Sequence, residues 1–384
     1  MRRRPSSVAA RWVVLSALLL SGCIALPRPR FTAAQQAVAE PVGFDHIRYA
    51  ADDPALPAMV RRSVAADARG RISVLAVSGG GANGAYGAGL LYAWSKSGHE
   101  PQFQLITGVS TGALAAPLAF VGPAWNDKLR TAYANPQVQR LLRSRGLFAL
   151  MTPGLFSRGP LYDLVRSYVT NDLIQAVAAE HRKGRRLLVA TTDLDTEQLM
   201  IWDMGAIAVR GGASARKLFT DVLVAAASVP GVFPPAMIRV EGGGHIFNEM
   251  HVDAQTQGAF FAVPESALLQ DRSQGLQGKV DLYIIVNGHV DRLFAVTPRA
   301  TIPILGRAFD VANKASVRSI LFTTAEFCRT DGCSLQVSAL PTTVEDKPLD
   351  FGLHHIRDLF AAGVAAEQRG DAWRRPGDTP PATH

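Results

Sequence analysis

The stretch Ile72-Ser73-Val74-Leu75-Ala76-Val77-Ser78-Gly79-Gly80-Gly81-Ala82-Asn83-Gly84 decides the fold, together with Gly108-Val109-Ser110-Thr111-Gly112 one helix and one strand later. Ile72 to Val77 is β-branched and aliphatic and breaks into glycine, which predicts a strand. Ala85 to Lys96 then carries helical spacing through Leu90, Leu91 and Trp94. The second unit repeats the plan, with Phe103 to Thr107 as a short strand, the serine turn, and Ala113 to Phe120 as an apolar helix. Strand, glycine turn and helix in succession predict an α/β fold.

The chemistry accounts for the glycines. A serine on a sharp strand-to-helix elbow sits in strained backbone, and its neighbours two before and two after pass too close for a Cβ. Gly108 and Gly112 hold those places around Ser110. Ser110 is then at a helix N-terminus, where free N–H groups and the helix dipole favour negative charge. Gly79, Gly80 and Gly81 supply the matching feature, an oxyanion hole, since glycine lets backbone N–H donors approach a tetrahedral intermediate. One such donor typically lowers the barrier by about 2.7–4 kcal/mol.

The N-terminus has a different character. Arg2, Arg3, Arg4 and Arg11 precede an apolar stretch from Trp12 to Leu20 that is too short to span a bilayer, as in an export signal. It ends in Leu20-Ser21-Gly22-Cys23, which looks like the lipobox of bacterial lipoproteins, with Cys23 as the lipidated first residue of the mature chain. Ile24 is not the aspartate associated with inner-membrane retention. The expected location is therefore the cell envelope, anchored by lipid to the outer membrane and facing the periplasm. The formal charge of +8 falls to +4 once the four signal arginines are removed. No dense basic run with interleaved aromatics supports nucleic-acid binding, while a weak attraction to anionic headgroups fits the residual charge. Outside the cytoplasm, Cys328 and Cys333 are expected to form a disulfide across Arg329-Thr330-Asp331-Gly332. No metal site is expected there, for no His or second Cys pair lies at ligand spacing.

At 384 residues the chain has room for one large α/β domain with extensions. Residues 1–22 read as the signal, 23–70 as anchor and tether with one short helix near Pro57 to Asp67, 71–368 as the catalytic domain, and 369–384 as a polar, Pro-rich, disordered tail. Helices are expected around Asp127 to Arg145, Leu161 to His181, Ser214 to Ser228, Ala315 to Phe327 and Leu353 to Gln368. Strands are expected at Arg186 to Thr192, Leu199 to Trp202, Ile246 to Asp253 and Leu282 to Asn287. Met151 to Pro160 reads as a loop or lid, and the proline-broken run Val222 to Ile238 as buried core. The acyl groove is expected between that loop and Gly231 to Met237. Trp94, Trp125, Trp202 and Phe120 read as core.

These motifs resemble the patatin-like phospholipases in their bacterial lipoprotein form. The likeness covers about Arg71 to Gln368. It rests on Gly79-Gly80-Gly81-Ala82-Asn83-Gly84, Gly108-Val109-Ser110-Thr111-Gly112, Ala227-Ser228-Val229-Pro230-Gly231-Val232-Phe233-Pro234-Pro235, and Val252-Asp253. The resemblance implies a three-layer α/β fold with a central, mostly parallel sheet and a Ser-Asp dyad. It also implies hydrolysis of lipid acyl esters without metal or other cofactor, with membrane lipids as substrate and anchor. Ser110 takes the nucleophile position, Asp253 that of the base, and Gly79, Gly80 and Gly81 the oxyanion positions. Two departures stand out. The family usually has Asp-Gly-Gly or Asp-Gly-Ala at the base, whereas this chain has Asp253-Ala254-Gln255, and Ala254 brings a Cβ where glycine permits positive φ. A basic residue is also common where Asn83 stands.

Other readings remain open on the residues alone. A Ser-Asp-His triad would draw on His289, His354 or His355, although its oxyanion loop would lie further upstream. Gly79, Gly81 and Gly84 also satisfy G-x-G-x-x-G, but the second strand ends in Thr107-Gly108-Val109-Ser110 and not in the acid that a dinucleotide ribose needs. An inactive envelope scaffold would explain Ala254. Asp193 and Asp195 follow a strand and could serve as base, with a turn role as the simpler account.

Overall fold

The computed structural model describes residues 28–134, 141, 156–262 and 279–375. The expected signal, Cys23, the first part of the expected lid (151–155), the far end of the expected Asp127 helix and residues 376–384 lie outside the described residues. Five strands run parallel, in the order β5 (Arg186–Asp193), β4 (Leu105–Gly108), β3 (Arg71–Val77), β9 (Lys279–Val286) and β10 (Ser334–Ala339). The inner strands β3, β4 and β5 are buried on both faces and hence read as largely apolar runs, whereas β10 at the sheet edge is half-buried. An antiparallel extension continues the sheet through β6 (Gln198–Asp203), β7 (Ala236–Gly242) and β8 (His245–Asp253).

Alternate residues of each strand feed two cores. Leu75, Val77, Ile106, Leu187 and Val189 face one layer of helices: α3 (Gly84–Ser97), α4 (Thr111–Phe120), α7 (Asn171–Arg182), α9 (Gly212–Ala226) and α11 (Leu353–Arg369). Ile72, Val74, Ala76, Leu188 and Ile284 face α2 (Ala55–Ser63) and α10 (Thr301–Asp331). The result is the helix–sheet–helix arrangement expected of the motifs.

The elements differ from expectation in several places. The expected Leu161 helix is two, α6 (Arg158–Tyr168) and α7, because Thr170 breaks off to cap the second by accepting from the Leu173 N–H. The helix expected at Ala315 begins at Thr301. β7 and β10 were hidden in sequence, β7 inside the apolar run read as core. Gly243 and Gly244, both at positive φ, turn β7 into β8. At the other end, Trp373 packs on Trp94 and Val337 bridges to Arg374, so order extends past the expected start of the tail. Cys328 and Cys333 are bonded, closing the turn after α10.

The largest difference is the segment expected as a tether. Residues 28–69 hold α1 (Ala33–Ala37), β1 (Glu40–Pro41), β2 (Arg48–Ala50) and α2, and β1 and β2 pair with β7 and β6. A buried polar cluster locks the segment in place. Arg48 forks onto both Glu249 oxygens, and Gln36 Nε2 donates to Glu249 at 2.7 Å and to Asp193 at 2.9 Å. His251 bridges Glu249 and the Thr191 hydroxyl, which in turn accepts from Trp202. The sequence gives little sign of this because its charges are spread over more than two hundred residues. Asp193, Glu249 and His251 have ligand atoms within 4.8 Å of one another, but Arg48 and Gln36 already engage the carboxylates that would hold a metal ion.

Burial raises the Glu249 pKa, but the His251 and Arg48 hydrogen bonds outweigh it and bring the group down to about 2. The stability it contributes is therefore present above the ordinary carboxylate pKa and is lost as pH falls towards 2. Arg48→Ala leaves a buried carboxylate uncompensated and is expected to cost about 3–5 kcal/mol in urea unfolding at neutral pH. A loss within experimental error would show that residues 28–50 are not integral to the domain.

Candidate active site

The site is assembled on one edge of β5. Along its other edge runs β6: Val189 pairs with Trp202 and Thr191 with Met200. On the site edge, Val189 pairs with Gly108 at the end of β4, and Thr191 pairs with Asp253 at the end of β8. β4 and β8 thus meet nearly end to end, running in opposite directions. The chain leaving β4 carries Ser110, and the last residue of β8 is Asp253.

Ser110 adopts φ 53° and ψ −126°, a region that a residue with a Cβ enters only when its surroundings impose it. The surroundings do so through two close approaches. A Cβ on Gly108 would lie 2.7 Å from the Ala113 Cα, and one on Gly112 would lie 2.3 Å from the Val77 carbonyl oxygen. Val109 N–H donates to the same Val77 carbonyl at 3.1 Å, so the elbow is pressed against the end of β3. Ser110 N-caps α4 without using its hydroxyl as a cap.

Asp253 is buried. Its N–H donates to the Ser228 carbonyl at 3.0 Å, and its Oδ1 accepts from the Gln255 N–H at 2.9 Å. Oδ2 is buried with no hydrogen-bond partner. The Ser110 hydroxyl lies near enough to favour the charged carboxylate, though not aligned as a hydrogen bond to Oδ2. Resting active sites commonly hold such contacts long until substrate arrives. Burial dominates and pushes the Asp253 carboxyl up to about 7, against the opposing influence of Ser110 and the Gln255 N–H.

The glycine loop lies across from Ser110. A Cβ built on Gly79 would be 3.0 Å from the Ser110 Cβ and 2.4 Å from Gln255 Oε1. The Gly79 N–H, however, donates to the Ala259 carbonyl at 3.0 Å. That corrects the expectation that it points at an oxyanion. Among the described residues the Gly80 and Gly81 N–H groups have no such backbone acceptor, and neither has that of Thr111, the first residue of α4. Asn287 clamps the loop by donating to the Ser78 carbonyl, and its own carbonyl would collide with a Cβ on Gly80. Asn83 donates to Asp346, and Ala82 N–H to the Pro348 carbonyl. Thr111, Gln255, Asn287 and Asp346 were not singled out in the sequence. Only the placement of Thr111 directly after the serine could have signalled a role.

Ala254 takes up no strained backbone beside Asp253. It enters a short 3₁₀ turn, Ala254–Thr256, and its side chain is buried against the second core. Among the described residues only His46, Ser110 and Glu197 reach positive φ without being glycine. Two of the three triad histidines are engaged elsewhere, and the third, His355, sits on α11 (Leu353–Arg369) with its Nε2 buried and without a hydrogen-bond partner. His289 Nε2 faces the Pro341 and Val344 carbonyls at 3.1 and 2.9 Å, and His354 pairs with Asp358 on the solvent face of α11. Asp193 accepts from the Asp195 N–H within the β5–β6 turn, the simpler role considered for that pair.

The family model described as patatin-like phospholipase matches residues 75–254, from within β3 to the residue after Asp253. No curated protein matches the chain in sequence. Among solved structures, VipD from Legionella pneumophila is similar at 12% identity and a TM-score of 0.39, covering 79% of this chain and 68% of its own. A chain of the complex of full-length SpcU with full-length ExoU, from the type III secretion system of Pseudomonas aeruginosa, is similar at 13% identity and a TM-score of 0.29. It covers 80% of this chain, which spans 54% of that one. Overlaps this loose add nothing to the reading of the site, which stands on the geometry and the family match.

A carboxyl raised by burial opposes folding once it must ionise. The cost is absent below the unfolded pKa, grows as pH rises, and is complete above about 7. Asp253→Asn is therefore expected to raise the thermal midpoint at pH 8 and to change it little at pH values where the parent carboxyl is neutral in both states. Equal midpoints at pH 8 would contradict a raised pKa at this position.

Proposed function

The chain belongs to the patatin-like phospholipases, which are lipid hydrolases, and from that premise we propose that it cleaves lipid carboxylic esters through a Ser110–Asp253 dyad. The reaction is of phospholipase A or lysophospholipase type. The observation that carries this reading is the unpartnered, buried Asp253 Oδ2 beside a serine held at positive φ.

Asp253, when ionised, accepts the Ser110 proton as Oγ attacks the ester carbonyl. Its raised pKa makes it a better base than an ordinary aspartate, whose value is about 3.9. The developing oxyanion lies within reach of the Gly80, Gly81 and Thr111 N–H groups, with the positive end of α4 behind it. Collapse of the intermediate expels the alcohol, which takes the proton back from Asp253, and leaves an acyl-serine. Water then attacks that ester and gives its proton to Asp253. Release of the fatty acid restores Ser110. Every proton is accounted for by the one carboxylate, so the mechanism needs no histidine.

The location belongs to the same reading. An export signal ending at Cys23 would hold the enzyme by lipid at the outer membrane facing the periplasm, with each buried acyl CH₂ contributing about 0.8 kcal/mol to anchoring.

A fluorophosphonate probe is expected to label the parent protein and not Ser110→Ala, and phospholipid hydrolysis is expected to vanish with the label. Folded parent protein that neither labels nor cleaves short-chain esters or phospholipids would falsify the enzyme reading. The pH profile gives a separate test. Because Asp253 must be ionised, kcat/KM is expected to rise as pH climbs through about 7 and to level off above it. An activity that is flat across that interval would remove Asp253 as the base.

A further inference from the structure

Helix α10 is apolar on both faces: Val317 and Cys328 are buried in the second core, and the outward face is apolar too. An ordinary surface helix turns its apolar stripe to the core and its charges to water. Here none of the exposed residues described between Thr301 and Thr323 is charged, and Leu305, Phe309, Val311 and Phe322 are among them. The charges of this stretch turn back onto the protein. Lys314 pairs with Asp310 and Asp346, Arg318 donates to the Val290 carbonyl, and Arg307 donates to the Leu293 carbonyl and to Asp310. The loop before the helix continues the apolar surface. Phe294 is 94% exposed and Val296 82%, the two most exposed large apolar side chains among the described residues. Arg292 and Arg299 flank them, both exposed, with Asp291 as the one acid of the loop.

We propose that residues 291–299 and the outward face of α10 form a docking surface for an anionic lipid bilayer. An apolar tip between two arginines suits such a surface, with the side chains entering the acyl boundary and the guanidinium groups remaining among phosphates. No helix among the described residues is long and apolar enough to cross a membrane, so α10 lies on the bilayer and does not span it. The placement serves the site as well. β3, β4 and β9 run parallel, and the loop leaves the same ends of these strands that carry the glycine loop and Ser110. Between β9 and the docking loop stands Asn287, which holds the Ser78 carbonyl. The surface thereby turns the mouth of the site towards the lipid. This deepens the lipid-ester reading and rests on it for its purpose, while the binding itself does not need catalysis.

The test is flotation of the full chain carrying Cys23→Ser, which removes the lipid-attachment thiol. The probes are phosphatidylcholine vesicles with and without phosphatidylglycerol. The parent is expected to float with the anionic vesicles and more weakly with the neutral ones, and Ser110→Ala is expected to float equally well. Phe294→Asp combined with Val296→Asp is expected to weaken binding at least about tenfold, and Leu305→Glu with Phe309→Glu to do likewise. Arg292→Glu with Arg299→Glu is expected to remove the preference for phosphatidylglycerol. All three pairs are expected to hydrolyse a water-soluble short-chain ester at the parent rate. Undiminished flotation of both apolar pairs would overturn the proposal. So would a parent that binds no vesicle but forms a dimer that these pairs dissociate, since the face would then join two copies of the chain. Binding that persists in a parent without esterase activity would uphold the surface while rejecting the catalytic reading.

Discussion

One edge of β5 holds two strands in succession, and the site depends on that arrangement. β4 occupies the first half of the edge and β8 the last three residues, arriving from opposite directions. A strand end is where backbone pairing stops and a side chain can be turned into open space. Two ends meeting over one neighbour therefore bring two such side chains together. Ser110 and Asp253 are more than a hundred residues apart, and they become neighbours through hydrogen-bond register and not through any local motif.

The arrangement stores unfavourable energy in two places. Ser110 holds a backbone conformation that a residue with a side chain avoids, and Asp253 holds a carboxyl in surroundings that penalise its charge. Each is kept in place by groups with little freedom to move. Gly112 lies against the carbonyls of Val77 and Ser78, and the Asp253 N–H is fixed by the Ser228 carbonyl. The two apolar cores on either side of the sheet supply the stability that holds these contacts. The Gln255 side chain, lying against Gly79, also fills space that glycine leaves open.

The N-terminal segment and α10 show how polarity distributes the remaining tasks. Residues 28–50 bring Gln36 and Arg48 to Glu249 on β8, the strand that ends in Asp253, so Asp253 rests on a strand whose charge is compensated from the far end of the chain. The Glu249, His251 and Asp253 side chains alternate along that strand at the spacing that puts them on one face. α10 does the reverse of a tether: Val317, Cys328 and its charged side chains hold it to the body, and a second set of apolar residues is left outward.

The serine elbow and the glycine loop were legible in the sequence because their constraints are local. Gly108 and Gly112 bracket Ser110, and the strand-turn-helix order fixes where backbone must bend, whatever the rest of the chain does. Asp253 was readable as a strand-end acid only through resemblance to the patatin-like phospholipases. Nothing in Val252-Asp253 itself distinguishes it from Asp193, which also ends a strand. The tertiary structure sets them apart, because pairing placed Asp253 beside β4 and left the Asp193 carboxylate to Gln36 and the Asp195 N–H. It likewise decided that Gly79 spends its N–H on Ala259 while Thr111 keeps its own free, and that a segment with little periodicity folds onto the sheet through Arg48. The physical reason is the same throughout: sequence encodes bond geometry and local sterics directly, whereas the partner of a buried charge or of a free N–H is chosen by whichever distant residue the packing brings within reach.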